Sequence, residues 1–75
     1  MREKLIAMLE DIRPDVEFET ENELIEEGIL DSLDIVAIVQ AIEDNFGVQI
    51  DLDVLEPENF NSVDAMAALI EKLKA

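Results

Sequence analysis

Apolar residues in this chain recur three to four positions apart in three separate stretches, the spacing that lines one face of a helix. Leu5, Met8, Leu9 and Ile12 predict a helix over residues 3–12. Ile35, Ile38, Val39, Ile42 and Phe46 predict a longer one over 32–46. Val63, Met66, Ala67, Ile70 and Leu73 predict a last helix over 62–74. The middle helix carries more than its stripe: Leu33, Val36 and Ala37 lie on a second side. A helix with apolar residues beside its core face often meets something besides its own core.

Polar signals mark where these helices begin and end. Pro14 disfavours helical geometry at Arg13 and stops the first helix. Asp31 and Ser32 head the middle helix, and both residue types accept hydrogen bonds from the free N–H groups of a first turn. Gly47 follows Phe46 and suits the left-handed position that closes a helix. Asn61 or Ser62 caps the last helix, whose end carries Lys72 and Lys74, cations that suit the dipole, as Glu3 does at the first helix's start. Residues 14–30 form a long acidic connection, with Val16 and Phe18 expected to anchor it to the core. Within it, Thr20-Glu-Asn-Glu23 fits a capping box starting one short turn through Leu24 and Ile25, both expected buried, before a turn at Gly28. Val48 and Ile50 alternate with polar neighbours, but one such segment makes no sheet and reads as loop. Asp51 to Leu55 reads as a short third helix with Leu52 and Leu55 inward, Pro57 breaks it or starts the next turn, and Phe60 is a core anchor. The expected fold is all-α, a small antiparallel four-helix bundle of three main helices and one short helix. A long loop separates helices 1 and 2, and a single domain covers residues 1–75.

Composition narrows the chemistry. The 75 residues include no His and no Cys, which removes Ser–His and Cys–His nucleophile pairs, disulfides and the usual zinc sites. Asp51-x-Asp53 hints at calcium, but Leu55 and Glu56 stand where an EF-hand loop needs a third oxygen ligand and a Gly. Carboxylates are abundant, yet a bundle this small has little volume for a cleft that would desolvate a catalytic pair, so an enzyme is not expected. Twenty acidic and 5 basic residues give a net charge of −15. That charge repels nucleic acids and anionic lipids and attracts basic protein surfaces. The longest uncharged run, Ile35 to Ile42, is too short to span a membrane. Met1-Arg-Glu-Lys leads directly into a helical pattern without a signal peptide's apolar segment, so the expectation is a cytoplasmic monomer.

One segment is more specific. Gly28-Ile-Leu-Asp-Ser-Leu-Asp34, followed by Ile35-Val36 and Glu43-x-x-Phe46, resembles the attachment segment of acyl and peptidyl carrier proteins. In that family the Ser of Asp-Ser-Leu carries 4′-phosphopantetheine as a phosphodiester. The resemblance implies that Ser32 is the attachment residue, with Asp31 capping the helix and helping to place the metal and cofactor of a phosphopantetheinyl transferase. Leu33 and Val36 would be apolar contacts for partner enzymes. Ala37 and Gln40 stand where fatty-acid carriers often place an acid and a Met, on the same candidate partner face. Asp34, Glu43 and Asp44 would meet basic residues of the partners. These partners would be an acyl- or aminoacyl-activating ligase and a downstream transferase or synthase. The stripe Ile38, Val39, Ile42 and Phe46 is core, and in acyl-binding carriers it also lines the cavity for a sequestered chain.

Fatty-acid carriers usually place Gly two residues before the Asp of Asp-Ser-Leu, whereas here Ile29 holds that place and Gly28 precedes it. Gly28-Ile-Leu-Asp-Ser32, with Glu58-Asn-Phe-Asn-Ser62, is closer to D-alanyl carriers and freestanding carriers of secondary-metabolite assembly lines. The implied function is to shuttle acyl or aminoacyl groups as thioesters in fatty acid, polyketide, nonribosomal peptide or D-alanyl transfer pathways. A different class uses the same residues: an unmodified acidic helical adaptor that binds a basic partner through Leu33, Val36 and the acidic helix face.

Overall fold

Helix α1 (Arg2–Ile12) stops one residue before the pre-proline position, where Arg13 leaves helical geometry at φ −136 and ψ 85. Helix α2 spans Ser32–Phe46, α3 spans Pro57–Phe60, α4 spans Val63–Lys74, and a 3-10 turn covers Leu52–Val54. The structure, a computed structural model, describes residues 1–74, without the side chain of Leu52, so the inward position expected of that residue lies outside the described residues. The architecture is an all-α bundle of three main helices and one short one.

The core draws on all four α-helices and on the long connection. Leu5, Leu9, Leu24, Ile38, Ile42, Met66 and Ile70 have no measurable exposure. Phe18 and Phe60 are exposed by 1% and 2% and fill the space between loops and helices. Ile6 and Leu69, outside the expected stripes, are buried as well. α1 packs against both α2 and α4, so its buried face is wider than a single contact requires. Lys4 ties the start of α1 to the end of α2, donating to the Asn45 carbonyl at 2.9 Å and standing 5.1 Å from the Phe46 ring centroid. Arg13, past the other end of α1, pairs with Asp34 in the first turn of α2, so these two helices run antiparallel. Arg2 binds Asp64 at the start of α4 at 2.9 Å.

Two local expectations change. The capping box at Thr20–Glu23 does not form: the Thr20 hydroxyl donates to the Glu17 carbonyl at 3.4 Å instead. The turn from Glu23 to Gly28 does exist, closed by Glu27 N–H to the Glu23 carbonyl at 2.9 Å. Its leading N–H groups go to Asn61, whose Oδ1 accepts from Ile25 at 3.0 Å and Glu26 at 3.2 Å, while its carbonyl accepts from Leu24 at 2.9 Å. A remote side chain therefore replaces the nearby Thr as the cap. Asn61 is thereby occupied, and Ser62 caps α4, its Oγ accepting from Ala65 N–H at 3.0 Å. The single helix expected over 51–55 is a 3-10 turn at Leu52–Val54, and Pro57 opens α3 at its first position. Residues 14–30 are held down by Val16, Phe18, Leu24 and Leu30, all buried, so the long connection is packed rather than loose.

Candidate functional site

The first turn of α2 begins at Asp31, an extended N-cap with φ −104 and ψ −174. Its Oδ1 accepts from Asp34 N–H at 2.9 Å, and Asp34 Oδ2 accepts from Asp31 N–H at 3.2 Å. This reciprocal box consumes two first-turn donors, and Ile35 N–H closes onto the Asp31 carbonyl at 3.0 Å. The intrahelical ladder leaves the amides of Ser32 and Leu33 at the open end of the helix. Ser32 is the first helical residue and is exposed. Its hydroxyl is not needed as a cap, because Asp31 already fills that role. Ser62, the other serine in the chain, is half-buried and engaged with Ala65 N–H.

Around Ser32 the exposed side of α2 is apolar and wide. Leu33 is 80% exposed and Val36 62%, so neither is packed beneath the long loop. Ala37, Gln40 and Asp44 are exposed on the same helix. Asp34 and Glu43 differ from them. The Asp34 side chain, 15% exposed, is shared between Asp31 N–H and Arg13. Glu43 Oε2 accepts from Ile50 N–H at 2.9 Å and pins the segment after α2. Both carboxylates thus have internal partners, whereas Asp44 lies open.

A shallow apolar groove of about 110 Å³ lies between α2 and α3, lined by Ile25, Ile35, Leu55, Glu56, Pro57 and Phe60. It adjoins a second depression along α2 that shares Ile35 and Leu55 and adds Val36 and Val39. Of the residues read as a core stripe, Ile38 and Ile42 are sealed in the interior, while Ile35 lines the groove and Val39 the adjoining depression. Glu56 lies at its rim, and Glu58 beside it raises the Glu56 carboxyl above its ordinary value of 4.5, by hydrogen bonding first and charge repulsion second.

The residue missed in the sequence is Arg13. It joins Asp15, Ile29 and Asp34, and its guanidinium is pushed further toward the charged form by the Asp15 hydrogen bond above all. A signal was available: Arg13 is the one cation between Lys4 and Lys72. A lone cation inside a long acidic run is a ready partner for carboxylates on facing elements.

The sequence profile of the family described as phosphopantetheine attachment site matches residues 3–70. The chain belongs to that family. No curated protein matches the chain closely enough to count as a relative. This carrier domain is a site of covalent 4′-phosphopantetheine attachment, and domains of its kind typically carry rather than catalyse. They work with a phosphopantetheinyl transferase and with other enzymes. The fit to the group is physical as well: an exposed hydroxyl stands at a helix start whose open amides and dipole favour an anion. No helix among the described residues is long and apolar enough to cross a membrane.

Proposed function

We propose that Ser32 bears the 4′-phosphopantetheine arm and that the domain shuttles acyl or aminoacyl groups between partner enzymes. The observation that carries this reading is the first turn of α2. Asp31 satisfies the cap, and the neighbouring serine is left exposed at the helix start. In loading, the Ser32 oxygen forms the new bond to the phosphorus of coenzyme A. The phosphoanhydride bond breaks, adenosine 3′,5′-bisphosphate leaves, and the hydroxyl proton passes to a base on the transferase. Asp31 holds the helix start rigid, and the amides beside Ser32 stabilise the phosphodiester charge. Once attached, the arm supplies a terminal thiol that holds cargo as a thioester. Leu33, Val36, Ala37 and Gln40 form the contact face for partners, and Asp44 draws in their basic residues. Asp34 and Glu43, bonded internally, support the scaffold first.

The test is intact-mass measurement after incubation with coenzyme A, Mg²⁺ and a broad-specificity transferase. The wild-type chain gains one phosphopantetheinyl group and the Ser32→Ala chain gains none. A wild-type chain that stays unmodified refutes the reading. The adaptor alternative predicts that Ser32→Ala leaves biological activity intact, and a Ser32→Ala phenotype equal to deletion eliminates it.

A further inference from the structure

Arg13 stands where four parts of the chain converge. It closes α1, its own N–H donating to the Leu9 carbonyl at 2.9 Å. Its Nε and Nη2 grip both oxygens of Asp15, at 3.1 and 3.0 Å, where the long connection begins. Its Nη1 donates to the Ile29 carbonyl at 3.3 Å, where that connection ends, and to Asp34 Oδ2 in the first turn of α2. A planar guanidinium can serve two directions at once, because its bidentate edge and its remaining N–H groups are fixed relative to each other. The oxygen it holds on Asp34 is the same one that accepts from Asp31 N–H. The capping box and the Arg13 ion pair therefore share one atom.

Two consequences follow for Ser32. Asp34 is confined to the rotamer that caps, which keeps the backbone at Asp31 extended and the helix starting at Ser32. Its charge is also balanced. An unpaired carboxylate two residues from Ser32 opposes any approaching phosphate, and this chain already carries −15.

We propose that Arg13 is a positioning residue for the attachment serine, clamping Asp34 so that the start of α2 presents Ser32 in one geometry to the transferase. This rests on the reading of Ser32 as the attachment position. The clamp acts through Asp34 and does not itself touch the arm.

The experiment compares wild type, Arg13→Gln, Arg13→Lys, Asp34→Asn and Arg13→Gln/Asp34→Asn. Amide hydrogen exchange is followed by NMR in the apo proteins, and kcat and KM of transferase loading are measured with the apo carrier as varied substrate. Arg13→Gln accelerates exchange at Asp31 and Asp34 by about ten- to a hundredfold, the range expected on losing one charge-assisted hydrogen bond. Exchange at Ile42, in the middle of α2, stays unchanged. Loading kcat/KM falls by a similar factor, and Arg13→Lys recovers part of it by restoring the charge without the fork. The two single substitutions do not add in the double variant, because either one removes the shared interaction. Equal loading and equal Asp31 and Asp34 exchange in wild type and Arg13→Gln overturn the proposal. So does a uniform rise in exchange across α1 and α2, which marks general destabilisation. A wild-type chain that fails to load at all removes the Ser32 reading and this inference together, and is distinguished by its own control.

Discussion

Asp31 and Ser32 sit side by side at the start of α2 and have opposite duties. The Asp31 side chain accepts from Asp34 N–H, so Asp31→Ala leaves that donor uncapped and lowers stability by about 1 kcal/mol. Ser32 is exposed, so Ser32→Ala changes stability by no more than about 0.5 kcal/mol. Urea titration of both variants checks this, and the second value matters because it makes Ser32→Ala a clean control for loading. Asn61 and Ser62 make a similar contrast. The Asn61 side chain serves two backbone donors of a distant turn and Ser62 serves one of its own helix. Asn61→Ala therefore costs more than Ser62→Ala, and its extra exchange appears at Ile25 and Glu26 rather than in α4. Nothing near Asn61 in the sequence announces that role, because its partners lie 35 and 36 residues away.

Among the elements, α2 was legible to its last residue. Both of its ends are set by neighbours, Asp31 at the cap and Gly47 in the left-handed region at φ 66. α1 and α4 were legible to within one residue at their starts, apart from their full buried faces. Ile6 and Leu69 are buried in helices that each pack against two others, which a single stripe does not encode. The stretch from 51 to 60 holds two short turns where the sequence predicts one short helix over 51–55, because its length permits several short helices. Pro57 was compatible with either ending one or starting one, and here it starts α3, which carries Phe60 into the core. Removing that ring tests the importance of this short element: Phe60→Ala lowers stability by about 3–5 kcal/mol in denaturant titration. The position of the candidate serine was legible, since it depended on a local motif. The Arg13 contacts to Asp15, Ile29 and Asp34 were not, since they depended on how α1, the connection and α2 come together.

For the whole molecule, charge dominates. Fifteen net negative charges sit on a body with a radius of gyration of 11.0 Å, comparable to a screening length of about 10 Å at 0.1 M salt. Added salt therefore raises the melting temperature, and a flat response contradicts self-repulsion as a term in stability. Two carboxyls shift in opposite directions on folding. Glu56, raised by Glu58, binds its proton more tightly in the folded state, so its contribution is fullest below 4.5 and is lost as pH rises through its raised value. Asp15, lowered mainly by its Arg13 hydrogen bond, contributes above 3.8, and that contribution is lost as pH falls through its lowered value. The melting temperature accordingly rises on acidification from pH 7 toward the ordinary carboxylate range and falls only below it. The most direct measurement is peptide-level mass spectrometry of the loaded chain. The account predicts a single phosphopantetheinyl group on the peptide containing Ser32, at that residue. A group found on Ser62 or on any other side chain contradicts it.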